Sequence, residues 1–204
     1  MSELWESVYK SNAVMWGEES CDNAIDVLKL FQKNNTKNVL IPGFGYGRNA
    51  KLFYENGISV TGIEISKTAI ERARKYFKDD VIIHHGSIIN MPFDSNKYES
   101  IYCYSTIHLL DLDERLKFIE DCFEQLKPNG LMVFTAISIN DKRYGEGKEV
   151  GEHTYKSSNG LTLYFYNEQS IKKDFASYNI IDLSQIKEPK QNPDEIHWMV
   201  VCRK

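Results

Sequence analysis

The chain has 204 residues, 42% apolar and 26% charged, with a net charge of −4. Those values suit one soluble domain able to bury a core, and they give no electrostatic reason to expect a nucleic-acid partner. No stretch approaches the ~18 apolar residues of a membrane span, and no basic N-terminal region precedes an apolar one, so the expected setting is the cytoplasm with no membrane partner.

From the N-terminus, the first element with helical spacing covers residues 22–33, where Ala24, Val27, Leu28 and Phe31 share a face. "NVLIP" (38–42) reads as a buried strand and runs into "GFGYGRNA", which turns helix-like. "ISVTGIEI" (58–65) reads as a second strand. A helix over 67–77 follows, with Ala69, Ile70, Ala73, Tyr76 and Phe77 together. "VIIHH" (81–85) and "ESIYCY" (99–104) read as the third and fourth strands. A helix over 112–127 is expected to bury Leu112, Leu116, Ile119, Phe123 and Leu126 and to stop at "PNG". "GLMVFTAI" (130–137) is the fifth strand. Residues 138–165 show no clear period. "SIKKDFASY" reads as a helix, and "NIIDLSQI" and "IHWMVVCRK" as two strands close enough to pair antiparallel. Cys21, Cys103, Cys122 and Cys202 are scattered and read as buried free thiols, without metal-site spacing.

Strand and helix in rotation imply right-handed crossovers. The expected fold is α/β: a doubly wound, mostly parallel seven-stranded sheet with helices on both faces and an antiparallel C-terminal pair. The whole of 1–204 reads as one domain, with a cover over 1–35, a cofactor-binding half over 36–137 and a substrate-side segment over 138–204. Open sheets of this kind bind ligands beyond the carboxyl ends of their strands.

Gly43, Gly45 and Gly47 leave the backbone bare between a strand and a helix, where main-chain N–H groups face a ligand. The second strand ends in Glu64, at the separation from the loop where such folds grip a ribose diol; a solvated strand end or a helix cap is the other use of that carboxylate. A dinucleotide fingerprint wants its third glycine where Arg48 stands, which disfavours NAD.

With those residues in place, the sequence resembles the class I S-adenosylmethionine-dependent methyltransferases, over nearly its whole length. In that family a G-x-G-x-G loop faces the methionyl part of the cofactor, an acid ends the second strand, and "LKPGG" occupies the place of "LKPNG" here. "VLIPGFGYG" with "GISVTGIEIS" is similar to the thiopurine, thiol and halide branch, and "GRNA" to the tellurite-resistance type. The "W-x-x-x-Y…W" lead-in of those enzymes resembles "LWESVYKSNAVMW" and implies Trp16 over the cofactor.

The resemblance implies an S-adenosylmethionine site built from Trp16, Gly43, Phe44, Gly45, Gly47, Arg48, Asn49, Glu64, Ile65, Ser87, Ile88 and Tyr104. It implies methyl transfer to a small-molecule acceptor. Arg48 has either the cofactor's carboxylate, an anionic substrate or a surface pair to meet. His108 is the best general base or substrate orienter, Tyr144 and His153 are candidate substrate-side residues, and "LTLYFYN" (161–167) is a floor for an apolar acceptor or plain core. Two departures stand out: Ile41 replaces an acid, and Ser87 stands where relatives place an aspartate against the adenine amine. An NAD-dependent reductase and a non-catalytic cofactor-binding domain are the rival readings.

Overall fold

Strand β1 (Asn38–Pro42) sends Val39 and Ile41 into one apolar layer and Leu40 into the other. A run that is apolar on both faces belongs inside a parallel sheet covered by helices. The computed structural model, which describes residues 2–12, 16–189 and 192–204, has that arrangement. Helix α1 (Ser2–Ser11) leads to α2 (Asp22–Lys33), β1, α3 (Arg48–Glu55), β2 (Ser59–Glu64), α4 (Lys67–Phe77) and β3 (Ile82–His85). Then come β4 (Tyr98–Cys103), α5 (Leu112–Gln125) and β5 (Leu126–Ile137). The final part holds β6 (Lys148–Gly151), β7 (Thr154–Lys156), β8 (Thr162–Tyr164), α6 (Glu168–Asp174), β9 (Asn179–Glu188) and β10 (Asn192–Arg203).

The main sheet runs β3-β2-β1-β4-β5-β10-β9. Its first five strands are parallel, and β10 lies antiparallel to both β5 and β9. One face is filled by Phe31 of α2, Phe53 of α3 and Phe77 of α4, the other by Phe118 and Ile119 of α5 and Ile171 of α6. The order reverses between β1 and β4, which makes the crevice at their carboxyl ends the place to look for a ligand.

Four expectations are corrected. Residues 138–165 contain a three-stranded antiparallel sheet, β6-β7-β8, where no period was legible. Its strands are short and mostly exposed, so they carry no alternation. The buried face of α5 is Arg115, Phe118, Ile119 and Cys122, while Leu112 and Leu116 are exposed. Arg115 takes the inward position because its Nε donates to Asp174 at 3.1 Å and its guanidinium lies 3.9 Å from the Tyr164 ring centroid. The helix also ends at Gln125, before the "PNG" turn, which becomes an irregularity within β5. Tyr76, expected inside, is exposed; it packs edge-on against Phe77 and donates to Glu55. The four cysteines are free and buried.

Candidate functional site

At the mouth of β1 the chain turns through Gly43, Gly45 and Gly47, all with positive φ. A Cβ on Gly43 would sit 2.3 Å from Oγ1 of Thr106, so the ends of β1 and β4 meet at the reversal only because residue 43 has no side chain. Gly47 is bare for another reason. Its Cβ would lie 2.4 Å from Phe77, and it starts α3 at φ 84.

Beyond this turn lies a cavity of ≈ 330 Å³, within the range of small-molecule sites. Of the residues expected to hold a cofactor, Trp16, Gly43, Phe44, Gly45, Arg48, Asn49, Glu64, Ile65, Ser87, Ile88 and Tyr104 line it, as does His108. Gly47 does not line it, because it is spent on the packing of α3. Ile41 lines it too, as an apolar wall.

Glu64 is 5% exposed and accepts three main-chain N–H bonds: from Gly45 at 2.6 Å, and from Ile65 and Ser66 at 2.9 Å each. Burial pushes its carboxyl up, and these three bonds pull it back. A carboxylate has about four acceptor sites, so roughly one stays open to a ligand. The expected two-pronged grip on a diol therefore needs the Gly45 bond to give way. The Ser87 hydroxyl carries no hydrogen bond among the described residues and also faces this cavity.

The cover comes from α1, which sequence reasoning did not recognise as a helix. Glu6 accepts from Oγ1 of Thr68 at 2.6 Å and Oγ of Ser66 at 2.7 Å, which pins α1 to the start of α4. Hydrogen bonds from Thr68 and then Ser66 hold the Glu6 carboxyl down to about 2. Trp5 and Tyr9 thereby reach the cavity beside Trp16, with ring centroids 6.2 and 6.1 Å from it. Residues 13–15 of the lead-in stretch lie outside the described residues. Arg48 donates from Nη1 to the Trp16 carbonyl at 2.8 Å, and Asn49 accepts from the Cys21 N–H at 3.0 Å.

The opposite end of the cavity is built from β4, β5 and β10. His108 lies in a 3-10 turn, Ile107–Leu109, and its Nδ1 accepts the Ile137 N–H at 3.2 Å. Burial, then His197 and Arg143, hold its imidazole well below the ordinary range. It is therefore neutral at pH 7 with its proton on Nε2, a donor rather than a ready base. His197 meets Oγ of Ser105 through Nε2 at 3.2 Å, and its Nδ1 is buried without a partner. Burial and the Arg143 charge bring it down to about 4. Arg143, Leu161, Leu163 and Glu195 complete this end. Arg143, Glu195 and His197 were not among the candidates that the sequence singled out. The one usable signal was position: Arg143 follows the fifth strand, at the ligand-binding end of the sheet.

Tyr144 and His153 are not in this cavity. The Tyr144 hydroxyl is 2.7 Å from Nδ1 of His153, whose Nε2 is 3.2 Å from Nδ2 of Asn167. His153 instead lines a second, more open cavity of ≈ 650 Å³ between α5, α6 and the small sheet. The Ile107–Leu109 turn separates the two, since His108, Leu109 and Leu110 line both. His84 pairs with Asp94 at 3.0 Å, outside the site. Among the described residues no group of His, Cys, Asp and Glu is arranged to hold a metal. No helix there is long and apolar enough to cross a membrane.

A glycine turn at the reversal point, an acid ending β2 and a covered cavity reaching to β10 thus stand together. Residues 40–134 match the family described as "Methyltransferase domain". An uncharacterized methyltransferase of Geobacillus sp. (strain WCH70) is 26% identical over 170 residues, 79% of this chain and 80% of that protein. The tRNA N(3)-methylcytidine methyltransferase Mettl2 of Drosophila melanogaster is 22% identical and matches 66% of this chain, which spans only 43% of it. A probable thiol methyltransferase of Arabidopsis thaliana is 24% identical over 74% of this chain and 69% of its own. In fold, the chain is similar to the 1,6-didemethyltoxoflavin-N1-methyltransferase of Burkholderia thailandensis, with a TM-score of 0.77 at 15% identity over 100% of this chain and 86% of that one. That structure holds 1,6-didemethyltoxoflavin and S-adenosylhomocysteine. Residues 40–134 thus match a methyltransferase domain, on a fold shared with a solved methyltransferase.

Proposed function

We propose that this chain methylates a small-molecule acceptor held at the His108 end of the ≈ 330 Å³ cavity, with S-adenosylmethionine at the Glu64 end. The observation that carries the reading is that one covered cavity joins Glu64 and Ser87, at the ends of β2 and β3, to Tyr104 and His108 after β4. The residues fit the cofactor: Glu64 retains one open acceptor site for a ribose hydroxyl, Ser87 a free hydroxyl for the adenine amine, and Ile65 and Ile88 apolar flanks. Bound there, S-adenosylmethionine supplies a methyl carbon on a sulfonium that is already a good leaving group.

The protein's share is alignment and exclusion of water. Trp5, Tyr9 and Trp16 close one side, Leu161 and Leu163 the other, and holding two partners in line is worth several kcal/mol of barrier. His108 orients the acceptor through Nε2–H. An acceptor already nucleophilic at neutral pH, such as a thiolate, then needs no base. Residues 1–35 act as cover, 36–137 as the cofactor half and 138–204 as the acceptor side. Four buried free cysteines favour the cytoplasm, and the small covered cavity favours a free small molecule over a nucleic acid.

Isothermal titration of the purified chain with S-adenosylhomocysteine, S-adenosylmethionine and NADH tests this. Binding of the first two and not the third is expected, and Glu64→Ala weakens it at least tenfold, about 1.4 kcal/mol. Preference for NADH would favour the reductase. Tight S-adenosylhomocysteine binding with no turnover across thiols, amines, phenols and metalloid anions would favour a non-catalytic binding domain.

A further inference from the structure

We infer that Arg143 recognises the methyl acceptor and selects one carrying a carboxylate or a similar oxyanion. The inference rests on the methyl-transfer reading and adds the substrate class to it.

Arg143 lies across the sheet from Glu64 and Ser87, the groups assigned to the adenosyl end of the cofactor. In the order β2-β1-β4-β5, three strand steps separate Glu64 from the end of β5, roughly 14 Å at ~4.8 Å per step. Arg143 follows β5 and shares its end of the cavity with Tyr104, His108 and His197. The other cavity arginine, Arg48, sits at the glycine turn and spends Nη1 on Trp16.

The guanidinium is fixed before any ligand arrives. Its Nε donates to Oδ1 of Asp141 at 2.7 Å and its Nη2 to Oδ2 at 3.0 Å, a two-pronged pair. Asp141 is buried and is itself held by the Arg143 and Ile196 N–H groups. One edge of the fork is thus occupied, and Nη1 has no partner among the described residues. A preset arginine with one free edge matches an oxyanion well.

The charge balance around it is explicit. Asp141 is paired, and Glu195 stands 3.8 Å from Nη2, a looser contact. At both His108 and His197 the Arg143 charge has a larger effect than that of Asp141. Nε2–H of His108 adds a neutral donor on the same side. Leu161 and Leu163 supply an apolar floor. Cationic donor, neutral donor and apolar wall together suit an acceptor with an apolar body and an anionic group.

The test uses the full chain saturated with S-adenosylhomocysteine, titrated calorimetrically with matched probes: 4-aminobenzoate against 4-aminobenzamide, and 3-mercaptopropionate against 3-mercaptopropionamide. Each acid is expected to bind at least tenfold more tightly than its amide. Arg143→Gln should erase that preference while S-adenosylhomocysteine affinity stays within twofold of wild type. Equal binding of acid and amide, or no measurable binding of either acid, overturns the inference; so does a preserved preference in Arg143→Gln. A large loss of S-adenosylhomocysteine affinity in that variant also overturns it, by assigning Arg143 to the cofactor. The wild-type comparison needs no variant, so it decides even if Arg143→Gln fails to fold. Failure of the wild type to bind S-adenosylhomocysteine at all would instead sink the methyl-transfer reading.

Discussion

Ile137 donates its main-chain N–H to Nδ1 of His108 at 3.2 Å. That bond fixes the tautomer: Nδ1 is the acceptor, and Nε2 holds the proton. A histidine so placed can donate a hydrogen bond through Nε2 and is not poised to take a proton there.

His108→Gln can keep both features, since an amide oxygen can accept and an amide nitrogen can donate. It should retain kcat/KM within about fivefold, while His108→Ala loses more. A general base would lose on the order of 10²–10⁴ in both variants. Because the imidazole stays neutral from pH 6 to 8, the rate profile should show no histidine inflection there.

Gly47 should matter to folding and not to cofactor contact. Gly47→Ala combines a left-handed φ of 84 with a Cβ 2.4 Å from Phe77 and 2.9 Å from Phe44. The expected loss is about 2 to 4 kcal/mol, read as a fall in the thermal midpoint on the order of 10 °C. Gly57→Ala is the control. It has φ 76 and nothing within 4 Å of the added Cβ, so strain alone should cost about 1 kcal/mol. Equal losses in the two variants would contradict the packing role of Gly47.

The Glu6 anchor predicts a pH dependence with a definite sign. Its carboxyl is depressed to about 2 in the folded chain by the bonds from Thr68 and Ser66. A depressed carboxyl stabilises above its unfolded value, near 4.5, and the benefit fades as pH falls toward 2. The gap in thermal midpoint between wild type and Glu6→Gln should therefore be constant from pH 6 to 8 and shrink between pH 4.5 and 3. A gap that widens on acidification would rule out this role.

The fold was legible where local pattern and tertiary burial agree. β1, α2 and α4 begin and end where the apolar spacing places them, because each buries the face that its own sequence marks, save for Tyr76 in α4. Arg115 defeats the pattern in α5, since its inward position depends on Asp174, 59 residues away. The small sheet was hidden because β6 buries nothing and its pairing is satisfied only by β7. The site divides in the same way. The glycine turn and Glu64 are close in sequence and act through main-chain geometry, so spacing exposes them. Tyr9, Arg143 and His197 come from three remote segments, and only folding brings them to one cavity. Tyr144 and Arg143 are neighbours in sequence, yet only Arg143 faces it.

A crystal structure of the chain with S-adenosylhomocysteine would show where the adenosyl group sits. The predicted result is a ribose hydroxyl within hydrogen-bond distance of Glu64, the adenine between Ile65 and Ile88 with its amine toward Ser87, and the sulfur pointing to Tyr104. A ligand bound elsewhere, or a cavity filled by Trp5, Tyr9 and Trp16 with no ligand density at millimolar concentration, would contradict it.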